Sequence, residues 1–328
     1  MSLNRIAVIG GGAWGTALAQ VAASAGREVL LWAREPTVVD GINSSHENAL
    51  FLGGIALSPA IRATGDLDEI AVSDAWLVVT PAQHMRSVLE RAPSCDVPRV
   101  LCSKGIEEHS GELLHQVAAE ACPGAPVAVL SGPTFAHEVA HGLPTAVTLA
   151  AHHLELARTL RCALAQPEFR IYVSDDVAGA EIGGAVKNVL AIACGVVEGR
   201  GLGENARAAL VARGFAEMTR FGVAMGARAE TLAGLSGLGD LVLTCSSTSS
   251  RNYSLGKGIG EGRSTSELLG DRRTVAEGAF TAPVLARVAR EHHVDMPVVD
   301  AVDRLLNGAS VDTVLEELLS RPPRLEGL

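Results

Sequence analysis

Residues 5–15, which read RIAVIGGGAWG, carry the strongest indication of the fold in this chain. Arg5–Ile9 is a short, mostly aliphatic run of the kind that forms a buried strand, and glycines follow it at once. A helical pattern, Trp14–Ala25, comes next, and Gly26 stands where a helix C-terminus usually has its glycine. A Gly-x-Gly-x-x-Gly pattern is weak by itself. Between a strand and a helix it indicates the first βαβ unit of a dinucleotide-binding domain.

Three glycines of the stretch match the pattern, and each has a physical role. Gly10 allows a tight turn after the strand, Gly12 lets the backbone come close to a pyrophosphate, and Gly15 lets the helix pack closely on the strand. The helix N-terminus adds N–H groups without intrahelical partners and the positive end of the helix dipole. We therefore expect backbone groups of this loop to hold a pyrophosphate.

The second predicted strand, Glu28–Trp32, bears on the choice of cofactor. Sites restricted to NAD usually carry Asp or Glu at the end of this strand, where the carboxylate binds the ribose 2′-hydroxyl. Here Arg34 lies just past the strand, and a guanidinium suits the 2′-phosphate of NADP. Glu35 keeps NAD open. The sequence thus favours NADP(H), with NAD(H) as the alternative.

Short apolar runs continue to alternate with helical patterns as far as residue 175. The further predicted strands are Trp76–Thr80, Arg99–Ser103, Val127–Leu130, Ala146–Ala150 and Arg170–Val173. The predicted helices between them include Met85–Arg91, Glu112–Ala121 and Leu154–Leu164. This alternation predicts an α/β fold with a Rossmann-type, doubly wound, mostly parallel sheet that helices cover on both faces. Residues 1–175 are assigned to this dinucleotide-binding domain.

Beyond residue 175 the sequence shows only helical patterns. The predicted helices are Ala178–Val197, Ala206–Gly222, Ser266–Leu269, Ala282–Glu291 and Val298–Asn307. The Gly- and Ser-rich segment Gly234–Gly262 interrupts them and is predicted to form turns and loops. Residues 176–328 are therefore predicted to form an all-α substrate and catalytic domain.

Composition excludes several classes of function. The 328 residues include 48% hydrophobic residues and carry a net charge of -10, which argues for a folded protein and against a nucleic-acid binder. The apolar run near the N-terminus is too short for a signal peptide or a membrane span, so no stable membrane insertion is expected. The six cysteines form no CxxC pair and are expected to be reduced thiols, which favours the cytoplasm. A homodimer is left open.

Lysine is rare in this chain: only Lys104, Lys187 and Lys257 stand among 27 basic residues. Arginine keeps its proton at any accessible pH, whereas a buried lysine can release and regain one. Lys104 follows a predicted strand at the sheet edge that binds ligands in open parallel sheets. Small apolar neighbours favour burial of Lys187 and a role in acid–base chemistry. Lys257 is predicted to lie on the surface in a Gly-rich turn.

Two polar segments complete the set of candidate residues. Asp240, an isolated carboxylate predicted in a turn, is a candidate partner for Lys187; the alternative is that Lys187 extends to water. Ser250, Arg251 and Asn252 supply hydroxyl, guanidinium and amide groups in a row, which are the donors that hold a phosphate monoester. The alternative for this segment is a solvated loop.

In this order along nearly the whole chain, the segments resemble one family, the NAD(P)-dependent glycerol-3-phosphate dehydrogenases of bacterial phospholipid synthesis. The resemblance rests on Gly10–Ala19, Ser103–Gly105, Ser131–Ala136, Gly184–Ile192, Gly237–Asn252 and Val275–Gly278. It implies hydride transfer between dihydroxyacetone phosphate and sn-glycerol 3-phosphate with NADP(H) or NAD(H).

The resemblance also implies roles for individual residues. Lys187 would be the proton donor and acceptor at the substrate C2 oxygen. The implied substrate contacts are Lys104, Gly132, Thr134, Lys187, Asp240, Ser250, Arg251 and Asn252. The implied cofactor contacts are Gly10, Gly12, Ala13, Trp14, Gly15, Arg34, Lys104, Ala136, Arg251, Val275 and Glu277.

The sequence departs from the family pattern at two positions. The family often has Ser at the position of Ala13, so a hydroxyl contact to the pyrophosphate is expected to be replaced by backbone N–H groups. The position of Tyr253 is often basic in the family, and the change is expected to weaken a secondary anion contact.

One motif points elsewhere. Residues 137–141 read HEVAH and match the H-E-x-x-H signature of zinc proteases. Gly142 and Pro144 stop the helix at once, and the resemblance places this segment in the cofactor domain, so no metal site is expected.

Two other functions are possible alternatives for this sequence. A related two-domain NADPH reductase of another small hydroxy or keto acid is disfavoured by the phosphate-type segment Ser250–Asn252. A non-catalytic NADP(H) sensor would not need Lys104, Lys187 and Asp240 together.

Overall fold

A computed structural model describes residues 3–270 and 276–322. The chain divides into two compact units. Unit 1 comprises the chain up to Lys104 together with Glu112–Ala180, and unit 2 comprises Gly105–Gly111 and the chain from Glu181 onward. The predicted boundary between residues 175 and 176 lies just ahead of a long helix, whereas the observed division falls inside that helix.

Unit 1 contains one eight-stranded sheet with the order β3-β2-β1-β4-β5-β6-β7-β8. The strands are β1 (Arg5–Ile9), β2 (Glu28–Trp32), β3 (Ile61–Thr64), β4 (Ala75–Val78), β5 (Arg99–Leu101), β6 (Val127–Ser131), β7 (Thr145–Ala150) and β8 (Phe169–Ser174). Every neighbouring pair is parallel except β6 and β7. The predicted Rossmann-type, mostly parallel sheet is confirmed.

Helices cover both faces of this sheet. They are α1 (Ala13–Ser24), α2 (Pro36–Ser45), α3 (Met85–Arg91), α4 (Leu114–Ala121), α5 (Ala136–Ala140) and α6 (Leu154–Leu164). Along β1, Ile6 and Val8 belong to one apolar cluster, whereas Ala7 and Ile9 belong to another. Successive side chains of a strand point to opposite faces, so both faces are buried. This explains why the strands read as continuous apolar runs rather than as alternating patterns.

β3 was not among the predicted strands. This strand has only four residues and lies at the edge of the sheet, and its second residue, Arg62, is exposed. So short a segment with a charged residue inside it gives no apolar run to detect. β4 and β5 also end two residues earlier than predicted, at Val78 and Leu101.

Unit 2 is helical. Its helices are α7 (Val177–Gly199), α8 (Gly203–Ala224), α9 (Ala229–Leu232), α10 (Asp240–Thr244), α11 (Arg251–Gly260), α12 (Thr265–Leu269), α13 (Glu277–Glu291), α14 (Pro297–Leu306) and α15 (Val311–Ser320). The first four residues of α7 belong to unit 1. A single π-helical turn, Leu235–Gly239, precedes α10.

The prediction that Gly234–Gly262 forms turns and loops is wrong, because α10 and α11 occupy much of it. Its glycines allow two helices to touch. A Cβ at Gly256 of α11 would lie 1.9 Å from the carbonyl oxygen of Ile192, and a Cβ at Gly195 of α7 would lie 2.1 Å from that of Tyr253. Close contact between α7 and α11 therefore overrides the low helix propensity of glycine.

Among the described residues, one helix, α7, is long and apolar enough to cross a membrane. Its apolar stretch is wholly buried inside the protein, as in the core helix of a water-soluble domain, so its length is weak evidence for a membrane span. The same helix carries Lys187.

Candidate active site

The glycine loop between β1 and α1 has the predicted geometry. Gly10 adopts φ 128°, which favours glycine, and an added Cβ would lie 2.9 Å from the carbonyl oxygen of Val79. A Cβ at Gly15 would lie 1.9 Å from the carbonyl oxygen of Gly10, so any side chain there would separate α1 from the loop. At Gly12 no described atom lies within 4 Å of the Cβ position. The backbone at Gly12 is thus open to a ligand.

The N-terminus of α1 is suited to an anion. The helix begins at Ala13, its capping residue is Gly12, and no side chain of the described residues caps it. Its first turn contains no acidic residue. N–H groups and the positive end of the helix dipole therefore point toward the loop. Ala13 adds no hydroxyl, and Trp14 packs, half-buried, against the core of unit 1.

Two residues that were not predicted, Asn48 and Thr16, support this loop through hydrogen bonds. The Asn48 side chain donates from Nδ2 to the carbonyl oxygen of Gly11 at 2.8 Å and to the Thr16 hydroxyl at 2.7 Å. Thr16 in turn donates to the carbonyl oxygen of Gly12 at 3.0 Å. An asparagine in a polar segment after α2 carries no sequence signal for this contact.

Arg34 lies beyond the end of β2 with its side chain 80% exposed. Its guanidinium contacts the Glu35 carboxylate at 3.1 Å. Exposed pairs of this kind are worth at most about 1 kcal/mol, so the guanidinium can turn to a phosphate at little cost. The preference for NADP(H) over NAD(H) stays a prediction that rests on this exposed guanidinium.

Three predicted substrate contacts meet at the carboxyl edge of the sheet in unit 1. Lys104, which follows β5, donates from Nζ to the carbonyl oxygen of Gly132 at 3.2 Å. The Thr134 hydroxyl donates to the same oxygen at 3.4 Å. Ala136, a predicted cofactor contact, begins α5 directly after this segment.

The H-E-x-x-H motif lies on α5, which is five residues long and ends before Gly142. His141 Nδ1 lies 2.8 Å from the carbonyl oxygen of His137, so that ring nitrogen is engaged by the backbone. In residues 3–270 and 276–322 no group of three or more His, Cys, Asp or Glu side chains could hold a metal ion.

Lys187 is the centre of a buried polar cluster in unit 2. It is only 6% exposed, and Nζ donates to Asp240 Oδ1 at 2.7 Å and to the Thr244 hydroxyl at 2.8 Å. The predicted pairing of Lys187 with Asp240 is therefore present, and the alternative that Lys187 extends to water is wrong. Asp240 is fully buried at the start of α10. The prediction that it lies in a turn is therefore wrong. Thr244, one helical turn later, was missed.

A glycine one turn before Lys187 brings the two elements together. Gly183 and Lys187 are four residues apart and share a face of α7. A Cβ at Gly183 would lie 2.4 Å from the carbonyl oxygen of Ser236, in the π-helical turn that leads into α10. The missing side chain lets this turn rest on α7. Contact at Gly183 therefore places Asp240 within reach of the lysine.

The phosphate-type segment forms the N-terminus of α11. Ser250 is the capping residue and accepts from the N–H of Tyr253 at 3.2 Å. Asn252 is buried, and its Oδ1 accepts from the N–H of Gly278 at 2.9 Å, in the first turn of α13, which Glu277 begins. Arg251 is exposed. The alternative of a solvated loop is therefore wrong, because this segment is an ordered helix start.

The remaining candidates have different outcomes. Lys257 lies in α11 rather than in a turn, partly exposed, 4.0 Å from Glu261. The hydroxyl of Tyr253 accepts from Arg207 Nη1 of α8 at 3.3 Å. Val275, a predicted cofactor contact, lies outside the described residues.

Comparison with known proteins identifies the family of this chain. The N-terminal model of NAD-dependent glycerol-3-phosphate dehydrogenase matches residues 5–157, and the C-terminal model matches residues 176–316. Curated glycerol-3-phosphate dehydrogenases [NAD(P)+] are similar over nearly the full length. The one from Erythrobacter litoralis is 63% identical, covering 98% of this chain and 97% of the relative, and the one from Parvibaculum lavamentivorans is 59% identical, covering 99% of each.

Solved structures lead to the same family. The crystal structure of glycerol-3-phosphate dehydrogenase from Coxiella burnetii superposes with a TM-score of 0.93 at 37% identity, covering 97% of this chain and 99% of that one. The family predicted from the motifs is thereby confirmed: the chain belongs to the NAD-dependent glycerol-3-phosphate dehydrogenases.

Proposed function

We propose that the protein interconverts dihydroxyacetone phosphate and sn-glycerol 3-phosphate by hydride transfer with NADP(H) or NAD(H), and so supplies glycerophospholipid synthesis. The observation that carries this proposal is the buried Lys187–Asp240–Thr244 cluster in the unit that also contains the Ser250–Asn252 helix start. Family membership supports the same reaction.

The residues of unit 1 fit a nicotinamide dinucleotide. The backbone of Gly10–Gly15 and the N-terminus of α1 would hold the pyrophosphate, because a loop free of side chains meets an uncapped helix start there. Arg34 would bind the 2′-phosphate, which favours NADP(H). When bound, the cofactor supplies or accepts the hydride. Ala136, Glu277 and Val275 remain proposed contacts from the family resemblance.

Lys187 has the chemistry that the C2 oxygen requires. Negative charge develops on that oxygen when the carbonyl is reduced, and a buried ammonium stabilises it more strongly than water would. The ammonium then gives its proton to the oxygen, and in the reverse direction the amine takes the proton back. Asp240 and Thr244 fix the direction of the Lys187 side chain by accepting two of its N–H groups.

The start of α11 suits the phosphate end of the substrate. α11 has ten residues, so its N-terminus offers N–H donors and a positive dipole end. The Arg251 guanidinium is exposed and can bind two phosphate oxygens at once. Because Asn252 Oδ1 is held by Gly278, the Nδ2 group is the donor that it would present to phosphate. Lys104, Gly132 and Thr134 are further proposed substrate contacts.

A steady-state assay tests the reaction. NADPH oxidation is followed with dihydroxyacetone phosphate, with dihydroxyacetone and with 2-keto acids, and each series is repeated with NADH. We expect turnover that requires the phosphate and is faster with NADPH at low concentration. Preferred turnover of a 2-keto acid without phosphate would favour the related reductase, and NADPH binding without any turnover would favour the sensor.

We also propose that the protein is cytoplasmic. It could be a monomer or a homodimer. All six cysteines are free, which suits a reducing compartment. Light scattering would distinguish a 33.9 kDa monomer from a dimer. Fractionation of cells would test the compartment.

A further inference from the structure

A segment after α2 clasps the glycine loop through one buried amide. Asn48 is 1% exposed, and Nδ2 donates to the Gly11 carbonyl oxygen and to Thr16 Oγ1. Its Oδ1 accepts from the N–H of Phe51 at 3.3 Å. The Thr16 hydroxyl donates in turn to the Gly12 carbonyl oxygen at 3.0 Å, and the helical N–H of Thr16 donates to the same oxygen at 2.9 Å. Two successive carbonyl groups of the loop are thus anchored from the protein side.

Anchoring a carbonyl fixes the N–H on the other side of the same peptide. In a trans peptide the C=O and the following N–H point in opposite directions. With the Gly11 carbonyl turned toward Asn48, the N–H of Gly12 points away from Asn48. With the Gly12 carbonyl turned toward Thr16, the N–H of Ala13 points out of the helix N-terminus. Because Ala13 offers no hydroxyl, these two N–H groups are the donors on which this part of the loop depends.

The segment that carries Asn48 is itself held firmly. His46 ends α2 in the left-handed conformation, with φ 52° and ψ 43°, and so turns the chain back toward the loop. The N–H of Leu52 donates to the Asn48 carbonyl oxygen at 2.8 Å, and the N–H of Leu57 donates to that of His46 at 2.8 Å. These bonds fix the position of Asn48, so its amide is preorganised rather than drawn in by a ligand.

We propose that Asn48 and Thr16 are positioning residues that aim the N–H groups of Gly12 and Ala13 at the cofactor pyrophosphate. The proposal rests on the proposed function only in taking a nicotinamide dinucleotide as the ligand. It assigns a role in cofactor affinity to a side chain that need not touch the cofactor. If the loop had to be ordered when the cofactor binds, the free-energy cost of ordering it would lower the affinity for the cofactor.

The competing explanation is that Asn48 merely stabilises the fold. Asn43 provides a matched control, since it lies in the same part of unit 1 and makes two hydrogen bonds of similar length. Its Nδ2 donates to the Ala63 carbonyl oxygen at 2.9 Å, and its Oδ1 accepts from the Ala63 N–H at 2.8 Å. Those bonds hold β3 and do not reach the glycine loop.

The experiment measures dissociation constants for NADPH, ADP and adenosine 2′-monophosphate by fluorescence titration and displacement. We expect Asn48→Ala to weaken NADPH and ADP about tenfold, because both carry a pyrophosphate, and to leave adenosine 2′-monophosphate within about twofold. The kcat at saturating NADPH should stay within about twofold. Asn43→Ala should lower the melting temperature while leaving all three constants unchanged.

A second pair of variants keeps the test decisive where Asn48→Ala does not fold. Thr16→Val removes the hydroxyl at nearly constant shape and should weaken NADPH binding. Thr16→Ser keeps the hydroxyl and should bind NADPH with wild-type affinity. Wild-type NADPH and ADP affinity in both Asn48→Ala and Thr16→Val, or equal losses in Asn43→Ala, would overturn the proposal. Failure of the proposed reaction would appear instead as lost turnover with these binding constants unchanged.

Discussion

The two glycine-rich regions of this protein use the same residue for opposite purposes. In the loop Gly10–Gly15, Gly12 leaves its backbone open to a ligand, because no described atom lies within 4 Å of its Cβ position. In α7 and α11 glycine hides backbone, because Gly195 and Gly256 let two helices touch without side chains between them. Unit 1 is accordingly expected to bind through its main chain and unit 2 to act through buried side chains. Substitution of Gly12 should therefore weaken ligand binding, whereas substitution of Gly195 or Gly256 should lower the free energy of unfolding.

The largest expected effect is on Lys187, where unit 2 acts through a side chain. Lys187→Arg keeps a cation beside Asp240 but cannot release its proton at usable pH, and Lys187→Met removes the group altogether. Both should lower kcat by at least about 100-fold, with NADPH affinity unchanged. Stopped-flow and NADPH titration measure the two quantities.

Lys187→Met also removes the ammonium that is bonded to the buried Asp240 carboxylate, which costs about 3–5 kcal/mol of stability. Urea unfolding separates that loss from the loss of chemistry. Lys257→Met is the matched control, since Lys257 is partly exposed on α11. Near-normal turnover in Lys187→Arg would remove the proton-transfer role.

The glycines themselves give the next largest effect. Gly15→Ala and Gly256→Ala each place a Cβ 1.9 Å from a carbonyl oxygen, and both should reduce the free energy of unfolding by about 3 kcal/mol. Gly12→Ala meets no described atom within 4 Å, so it should change stability by less than about 1 kcal/mol. It should instead raise the dissociation constant for NADPH about tenfold, because a methyl group would stand between the backbone and the ligand.

Denaturant unfolding and NADPH titration on the three variants test this division. Equal losses of stability at Gly12 and Gly15 would contradict it. So would wild-type NADPH affinity in Gly12→Ala.

A second buried carboxylate of unit 2 gives a pH-dependent effect. Glu217 of α8 accepts from the N–H groups of Val298 and Val299 at the start of α14, and burial raises its pKa to about 7 against these hydrogen bonds. Arg220 and Asp295 are the nearby charges. Because the folded pKa is raised from 4.5, the folded state binds the proton more tightly. The contribution of Glu217 to the free energy of unfolding is therefore fully present below pH 4.5 and is lost as pH rises to about 7, by at most about 3 kcal/mol.

Chemical unfolding at several pH values between 5 and 8 checks this decline. Glu217→Gln cannot ionise and should flatten it. A decline that is the same in wild type and Glu217→Gln would assign it to other groups.

The smallest expected effect is at the surface of unit 1. Arg34→Ala should raise the KM for NADPH about tenfold and leave the KM for NADH within about twofold, because only NADPH carries the 2′-phosphate. Arg158→Ala, which removes an exposed guanidinium on α6 paired with Glu155, is the control. Equal shifts for both cofactors would show that Arg34 does not read the 2′-phosphate.

The sequence predicts the structure correctly where a local pattern decides it. The strand–glycine–helix order of residues 5–26 specifies its unit without help from elsewhere. The pairing of Lys187 with Asp240 follows from the rule that a buried cation needs a counter-charge.

The sequence does not predict the structure where contacts between distant residues decide it. The glycines of α11 are helical only because α7 lies against them, and β3 exists only as an addition to the edge at β2. Asn48 reaches Gly11 across 37 positions, and Thr244 reaches Lys187 across 57. No local sequence pattern around Asn48 or Thr244 predicts such a contact. The hydrogen-bond partners that position the site residues are thus the part of the structure that a single sequence does not predict.

Gly183 extends this lesson to mutation and design. A side chain there would push the Ser236 turn off α7, and the 2.7 Å contact between Lys187 and Asp240 would lengthen although every reacting group remained in place. A genetic screen for inactive alleles should thus recover substitutions at Gly183 as readily as at the lysine. A designer who grafts the lysine and aspartate onto another helical scaffold must graft the glycine one turn earlier with them.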